Sequence, residues 1–193
     1  LSEMERIATC RKSGARASGQ CEQTDTLWVP RRGLDTRACS HHRIIHVSRD
    51  LKYQLHSECA EISSLTHVKW FVLPPVQEHY YRAKNISYKP LPPFRPDCEG
   101  SHSLVAMDLV YPESNAQILI PRDFSGNPGR SIFQLAHRDE HVSVFWHLDG
   151  VFIGTTKSVH RLALNPSEGR HVLTVVDENG QSLEKHFTVI SSL

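Results

Sequence analysis

The chain has 193 residues, of which 39% are hydrophobic and 22% are charged, and its formal net charge is +1. This balance is enough for a buried core, and it argues against a nucleic-acid-binding protein, which would need a strong basic excess. No run of about 18 apolar residues is present, so no membrane-spanning helix is predicted. No signal peptide is recognised, and because the chain begins at Leu1 we expect it to be part of a longer protein.

Charge and cysteines are divided unevenly along the chain. Residues 1–98 hold 15 Lys and Arg against 10 Asp and Glu, whereas residues 99–193 hold 7 against 11. All five cysteines lie before residue 99, which is typical of a disulfide-permissive compartment or a metal site. We therefore predict a cysteine-containing region over 1–98, ending in a proline-rich joint, and a second domain over 99–193.

The first 38 residues are rich in charge, glycine and serine, and they show little periodicity. Within them, Cys10 and Cys21 bracket a loop of ten residues. Such a loop cannot bury a core, so a disulfide that closed it would supply order that packing does not. A Cys10–Cys21 bridge is therefore a candidate, although spacing alone does not fix connectivity.

Residues 39–59 are predicted to form a β-hairpin. Residues 43–47 would be one strand and residues 51–56 the other, with a turn at 48–50. This fold predicts that residues equally distant from the turn lie opposite each other.

Two pairs of metal-ligating or oxidisable residues would face each other in this hairpin. Cys39 would lie opposite Cys59, and His42 opposite His56. Opposed strand residues have Cβ atoms about 4.5–5.5 Å apart, close to the span of a disulfide. The same four residues form a Cys-x2-His and His-x2-Cys pattern that could bind zinc instead. The disulfide is the preferred interpretation and zinc the alternative, and neither assigns a partner to Cys98.

A short helix is predicted over residues 74–84, because Pro74 and Pro75 suit the first turn of a helix. After residue 86 four prolines deny backbone donors and favour an extended segment. We interpret this segment as a stiff spacer.

From residue 101 onward the sequence alternates with the period of two that is typical of β-strands. Asp149-Gly150 and Asn179-Gly180 are strong hairpin signals, because glycine accepts a positive φ. Seven or eight short strands are predicted, over residues 104–110, 116–120, 130–137, 142–148, 151–153, 162–164, 170–176 and 183–190. This pattern predicts a mainly β chain whose second domain is an immunoglobulin-like β-sandwich.

The aromatic residues divide into a core candidate and surface candidates. Trp146 alternates with apolar neighbours on its strand and is predicted to anchor the core. Phe145 would face the opposite way and is a candidate for an interaction surface, together with Tyr80, Tyr81 and Tyr88.

No arrangement of nucleophile and base is recognised, and no phosphate-binding glycine loop or Gly-x-Ser-x-Gly motif is present. The sequence therefore predicts no enzymatic activity for this chain and no cofactor.

Three long motifs resemble class A penicillin-binding proteins of the 1C type. The first is the proline-rich block Trp70 to Cys98, which contains Trp-Phe-Val-Leu-Pro-Pro-Val-Gln-Glu and Leu-Pro-Pro-Phe-Arg-Pro-Asp-Cys. The second is Phe145 to Gly150, and the third is Glu168 to Asp177. The paired cysteines near the start also fit, so the resemblance covers nearly the whole chain.

This resemblance implies a bifunctional parent, a peptidoglycan glycosyltransferase and DD-transpeptidase anchored in the bacterial inner membrane. This chain would be its non-catalytic C-terminal portion in the periplasm, downstream of the transpeptidase domain. We carry over none of the family's catalytic residues. The resemblance also suggests a periplasmic partner, such as an α2-macroglobulin-like protein.

We derive two main functional hypotheses from this sequence. In the first, the chain is an interaction and positioning module of a peptidoglycan synthase. In the second, it binds peptidoglycan or another glycan through exposed aromatic side chains. An independent enzyme is a third and weaker hypothesis, because no catalytic constellation is recognised.

Overall fold

The computed structural model describes residues 4–98, 104–120 and 129–190. These residues form two compact units. The first unit contains residues 4–73 and 87–98, and the second contains residues 74–86, 104–120 and 129–190. Residues 74–86 therefore belong with the second unit and not, as predicted, with the region 1–98.

The first unit is built from two antiparallel strand pairs. Its four strands are β1 (Met4–Cys10), β2 (Thr24–Pro30), β3 (His42–Val47) and β4 (Thr66–Phe71). Strand β1 pairs with β2, and β3 pairs with β4. Two short 3-10 helices, Arg31–Asp35 and Ile62–Ser64, lie between them.

The predicted hairpin over residues 39–59 is wrong in its second strand, because β3 pairs with β4. Of residues 51–56, Gln54 forms an isolated bridge with Val47 of β3, and the Leu55 N–H donates to the His46 carbonyl (3.0 Å). Gln54 also bonds to the proline-rich segment, since its backbone N–H donates to the Pro93 carbonyl (2.8 Å) and its side chain to the Pro92 carbonyl (2.6 Å). The longer ladder with β3 is therefore formed by the six residues of β4, which lie farther along the chain.

Because β3 pairs with β4, the cysteines and histidines that were predicted to lie opposite each other have different neighbours. His42 lies opposite Phe71 and not opposite His56. Cys59 forms a disulfide with Cys98, with a Cα–Cα distance of 5.1 Å, so the predicted Cys39–Cys59 disulfide is not formed. The guanidinium of Arg95 donates a hydrogen bond to the Cys59 carbonyl (2.6 Å), which fixes the backbone beside this disulfide.

Loss of the Cys59–Cys98 disulfide is expected to destabilise the first unit by about 2–4 kcal/mol, because the bond closes a long loop in the unfolded chain. The two cysteines are 39 residues apart. Replacing both by serine and measuring hydrogen exchange in β3 would test this. Unchanged exchange in β3 would show that the disulfide contributes little to the unit.

The second unit begins with a helix, α1 (Pro75–Lys84), as the sequence predicts. Pro75 occupies the first turn, where no backbone donor is needed. The helix packs against strands of the sandwich: buried Glu78 pairs with Arg138, and Arg82 pairs with Glu140 (2.8 Å). None of the helices in the described part of the chain has the length and apolar character needed to cross a bilayer.

The rest of the second unit is the predicted β-sandwich. Its strands are β5 (Met107–Tyr111), β6 (Ala116–Leu119), β7 (Ser131–His137), β8 (Ser143–Leu148), β9 (Val151–Lys157), β10 (Arg161–Leu164), β11 (Gly169–Asp177) and β12 (Ser182–Ile190). One sheet has the order β10-β7-β5, and the other has the order β6-β12-β11-β8-β9. Asp149 and Gly150 join β8 to β9 with positive φ angles of 51° and 80°, which fits the predicted two-residue hairpin turn.

The core between these sheets is centred on Trp146, which is fully buried. Its indole N–H donates to the Thr156 hydroxyl (2.8 Å), so burial leaves no polar atom of the ring unsatisfied. Phe133 and Phe187 meet edge to face, with ring centroids 5.3 Å apart, and join the two sheets. The predicted role of Trp146 as core anchor is confirmed.

Candidate functional site

Three thiols and one imidazole converge in the first unit. Cys10, Cys21 and Cys39 form no disulfide. Their sulfur atoms lie 3.7, 3.6 and 3.5 Å from the Nδ1 atom of His42. All four of these atoms lie within 4.8 Å of one another.

The backbone brings these residues together from three separate segments. Cys10 ends β1, Cys21 precedes β2, and Cys39 and His42 flank the start of β3. The loop between β1 and β2 folds back, because Arg16 bridges both Thr9 and Ala38. The Cys39 N–H donates to the Arg16 carbonyl (2.7 Å), which places Cys39 against this loop.

Each sulfur atom receives hydrogen bonds from nearby groups. The Ser13 hydroxyl donates to Cys39 (3.2 Å), and the Ser18 N–H donates to Cys21 (3.4 Å). Burial raises the pKa of the Cys10 thiol, but hydrogen bonds from Ser13 and from the backbone of Lys12 outweigh it, so the pKa is lowered. Burial raises the pKa of the Cys21 thiol. The hydrogen-bond donors favour sulfur in its thiolate form, which is the form that binds metals.

The imidazole of His42 is buried against the ring of Phe71, with ring centroids 5.0 Å apart. Burial, together with the charge of Lys12, lowers the pKa of His42. A neutral imidazole presents a nitrogen lone pair, as a metal ligand must. Three cysteines and one histidine are a ligand set typical of closed structural zinc sites.

The sequence predicted part of this cluster and paired the rest wrongly. Cys10 and Cys21 lie in the same cluster but are not bonded to each other. The alternative zinc set of Cys39, His42, His56 and Cys59 is divided between two sites: Cys39 and His42 lie in the cluster, whereas His56 lies beside the Cys59–Cys98 disulfide. The Cys-x2-His spacing of residues 39–42 is the sequence signal that correctly indicated two members of this cluster.

The predicted surface aromatics do not share one environment. Tyr80 is 53% exposed and Phe145 is 36% exposed, whereas Tyr81 and Tyr88 are half-buried. Tyr88 belongs to the first unit and packs edge-on against Phe71, with centroids 6.2 Å apart. The other three belong to the second unit.

An exposed apolar edge in the second unit was not predicted. Strand β9 is the last strand of its sheet, and it pairs only with β8 among the described strands. Val151 is 65% exposed and Phe152 is 56% exposed. The alternation of β9 predicted its strand character, but only the sheet order shows that it lies at an edge.

A cavity of about 530 Å³ lies between α1 and the sandwich strands. Three of its lining residues are histidines, at positions 79, 137 and 160. The His137 ring lies 3.2 Å from a carboxylate oxygen of Asp177, with both side chains almost fully buried. This contact holds the imidazole of His137 within the fold, so His137 is not a free metal ligand.

The stability of the second unit is expected to fall as the pH drops below about 6.5, the ordinary pKa of histidine. Burial, and next the charge of His137, lowers the pKa of His160. The unfolded chain therefore binds a proton at a higher pH than the folded one, so acid favours unfolding. His160 Nδ1 also lies 3.1 Å from the Thr156 hydroxyl, which can donate only to an unprotonated nitrogen.

Urea unfolding at pH 7.5 and 5.5 would measure this effect in the wild type and in His160→Asn, whose side-chain oxygen can replace Nδ1 as acceptor. We expect a smaller loss of stability on acidification in the variant. His186→Asn, at an exposed histidine, is the matched control. An equal loss in the wild type and His160→Asn would contradict the prediction.

Ser182 and Lys185 match the Ser-x-x-Lys spacing of the acylated serine in penicillin-recognising enzymes. They lie in β12, where side chains three residues apart point to opposite faces of the sheet. Lys185 pairs with Asp108 (3.0 Å). The lysine is therefore not placed to activate this serine.

Comparison with known proteins gives one family match and one structural match. The model of the Penicillin-Binding Protein C-terminus Family matches residues 95–187. A solved structure of fibronectin(III)-like modules of Clostridium thermocellum CbhA is 15% identical, with a TM-score of 0.35, and the match covers 45% of this chain and 99% of that one. No curated protein sequence matches this chain.

Proposed function

We propose that this chain, whose residues 95–187 match the penicillin-binding protein C-terminus family, is the non-catalytic C-terminal module of a periplasmic peptidoglycan synthase of the 1C type. In this proposal it follows the transpeptidase domain of a membrane-anchored parent. It positions that synthase by presenting a binding surface to a periplasmic protein, for which an α2-macroglobulin-like protein is the candidate.

The open edge of β9 is the observation that carries this proposal. An unpaired strand edge offers backbone donors and acceptors to a strand of another protein. Phe152 is the second residue after a two-residue hairpin turn and is 56% exposed, so it provides an apolar contact at that edge. Binding of this kind needs no nucleophile, in agreement with the absence of a recognised catalytic arrangement in the sequence.

The experiment compares the parent synthase with a form that lacks this chain. Acylation by a labelled penicillin is expected to be equal in both, whereas association with the periplasmic partner is expected to be lost without the chain. In the complete parent, Phe152→Asp should weaken that association by about tenfold, since it places a charge where the partner would cover an exposed aromatic ring. Ile132→Asp, at an exposed residue of β7, is the matched control and should change it little.

Two results would overturn the proposal. Acylation of the isolated chain by penicillin would show that it has its own nucleophile. Unchanged association after deletion of the whole chain would show that the binding surface lies elsewhere in the parent.

A second candidate function is peptidoglycan binding. It is favoured by the exposure of Tyr80 and Phe145, because aromatic rings in solvent can stack on sugars. Titration with soluble peptidoglycan fragments should then shift the NMR signals of these two rings. Unshifted signals at saturating fragment concentration would exclude it.

A further inference from the structure

We propose that Cys10, Cys21, Cys39 and His42 form a structural zinc site that holds the first unit together. This inference concerns the first unit, whereas the proposed binding edge lies in the second. It therefore stands or falls independently of the proposed function.

The distances between the four ligand atoms fit one tetrahedral zinc ion. With Zn–S bonds of about 2.3 Å and a Zn–N bond of about 2.0–2.1 Å, a tetrahedral site places sulfur and nitrogen about 3.6 Å apart. The three observed S···Nδ1 distances are 3.5, 3.6 and 3.7 Å. These distances, together with the 4.8 Å limit on every separation within the cluster, are compatible with one ion that contacts all four atoms.

A disulfide within the cluster fits these distances less well. A bond between any two of the sulfurs would bring them to about 2.0 Å and leave the third without a partner. The three sulfurs instead lie at nearly equal distances from one nitrogen. Three thiolates and one imidazole are a soft ligand set that favours zinc over magnesium or calcium.

The surroundings of the cluster resemble the outer shell of a metal site. Ser13 and Ser18 donate hydrogen bonds to two of the sulfurs, Cys39 and Cys21. Such donors orient the ligands and stabilise their negative charge. Cys10, Cys39 and His42 are buried, and four protein ligands leave no open position for a substrate, so the site is structural and not catalytic.

The first unit also needs a cross-link at this point. Six of the seven residues of β2 are exposed, so β1 and β2 bury little apolar surface together. Apart from its cysteines, the buried apolar residues of the unit are Ile7, Ile45, Val47, Leu55, Phe71, Val72 and Leu73, and all except Ile7 lie outside the β1–β2 pair. A zinc ion would tie the β1–β2 pair to β3, which small units with a limited core require.

Metal analysis of the purified chain tests this inference. We expect one zinc ion per chain by elemental analysis and by native mass spectrometry. Cys21→Ser is expected to lose it, whereas the matched control Cys59→Ser/Cys98→Ser keeps it, because that pair lies outside the cluster. Zinc content unchanged in Cys21→Ser would overturn the assignment.

Cobalt substitution in the wild type provides a test that does not depend on the folding of a variant. Replacing zinc with Co²⁺ should give the thiolate charge-transfer and tetrahedral absorption bands of a site with three sulfur ligands and one nitrogen ligand. Absence of zinc from the chain, together with mass mapping of a Cys10–Cys21 disulfide, would overturn the inference.

Discussion

Chelation of the bound metal is expected to unfold the first unit while the second unit stays folded. Structural zinc sites contribute on the order of 10 kcal/mol of apparent binding free energy, and a unit that depends on one is unfolded without it. Here the metal would tie the β1–β2 pair, which buries few apolar residues, to β3. The second unit contains none of the four ligands, so its sheets should not respond.

Hydrogen exchange followed by mass spectrometry can resolve the two units in one experiment. After EDTA treatment, peptides from β1 and β2 should lose protection, whereas peptides from β11 and β12 should keep it. Added zinc should restore the protection, and added magnesium should not. Retained protection in β1 and β2, once elemental analysis shows the metal to be gone, would contradict the prediction.

Replacing Trp146 by alanine is expected to destabilise the second unit by about 3–5 kcal/mol, because truncation of a large buried ring leaves a cavity. The indole is fully buried between the two sheets. The same change removes the hydrogen bond from the indole to Thr156, which is part of the polar contact with His160. A loss of this size is a large fraction of the stability of an ordinary domain.

Urea unfolding, assigned to the second unit through exchange in β11, measures this effect. Phe145→Ala is the matched control, since it changes the neighbouring residue of β8, a partly exposed ring. Phe145→Ala should lower the free energy of unfolding much less than Trp146→Ala does. Trp146→Phe should cost less than Trp146→Ala, because it removes the hydrogen bond but keeps most of the buried ring volume. Equal losses for Trp146→Ala and Phe145→Ala would contradict the assigned core.

The second unit could be predicted from sequence because its signals are local. Period-two alternation marks the strands, and Asp149-Gly150 marks a hairpin by a dipeptide alone. Trp146 could be placed inside because its strand neighbours share its apolar character. The open edge of β9 could not be predicted, since an edge depends on the order of all strands in the sheet and not on the strand itself.

The first unit was predicted less well because its contacts are distant in sequence. The apparent symmetry of residues 39–59 favoured a local hairpin, but β4 begins 24 residues after β3 begins and provides the actual partner. Cys98 closes a disulfide with Cys59 across 39 residues. Spacing shows which cysteines could bind a metal or each other, but the fold of the backbone decides which ones do.

The order of segments along the chain limits how the protein can be shortened. The chain leaves the first unit after Leu73, forms α1 in the second, and returns to the first at Ser87. A fragment that starts at residue 99 therefore lacks α1, and with it the carboxylate of Glu78 that pairs with Arg138. Protease cleavage between α1 and β5 would likewise leave parts of the second unit on two separate peptides. Recombinant fragments of the sandwich should therefore include residues 74–86.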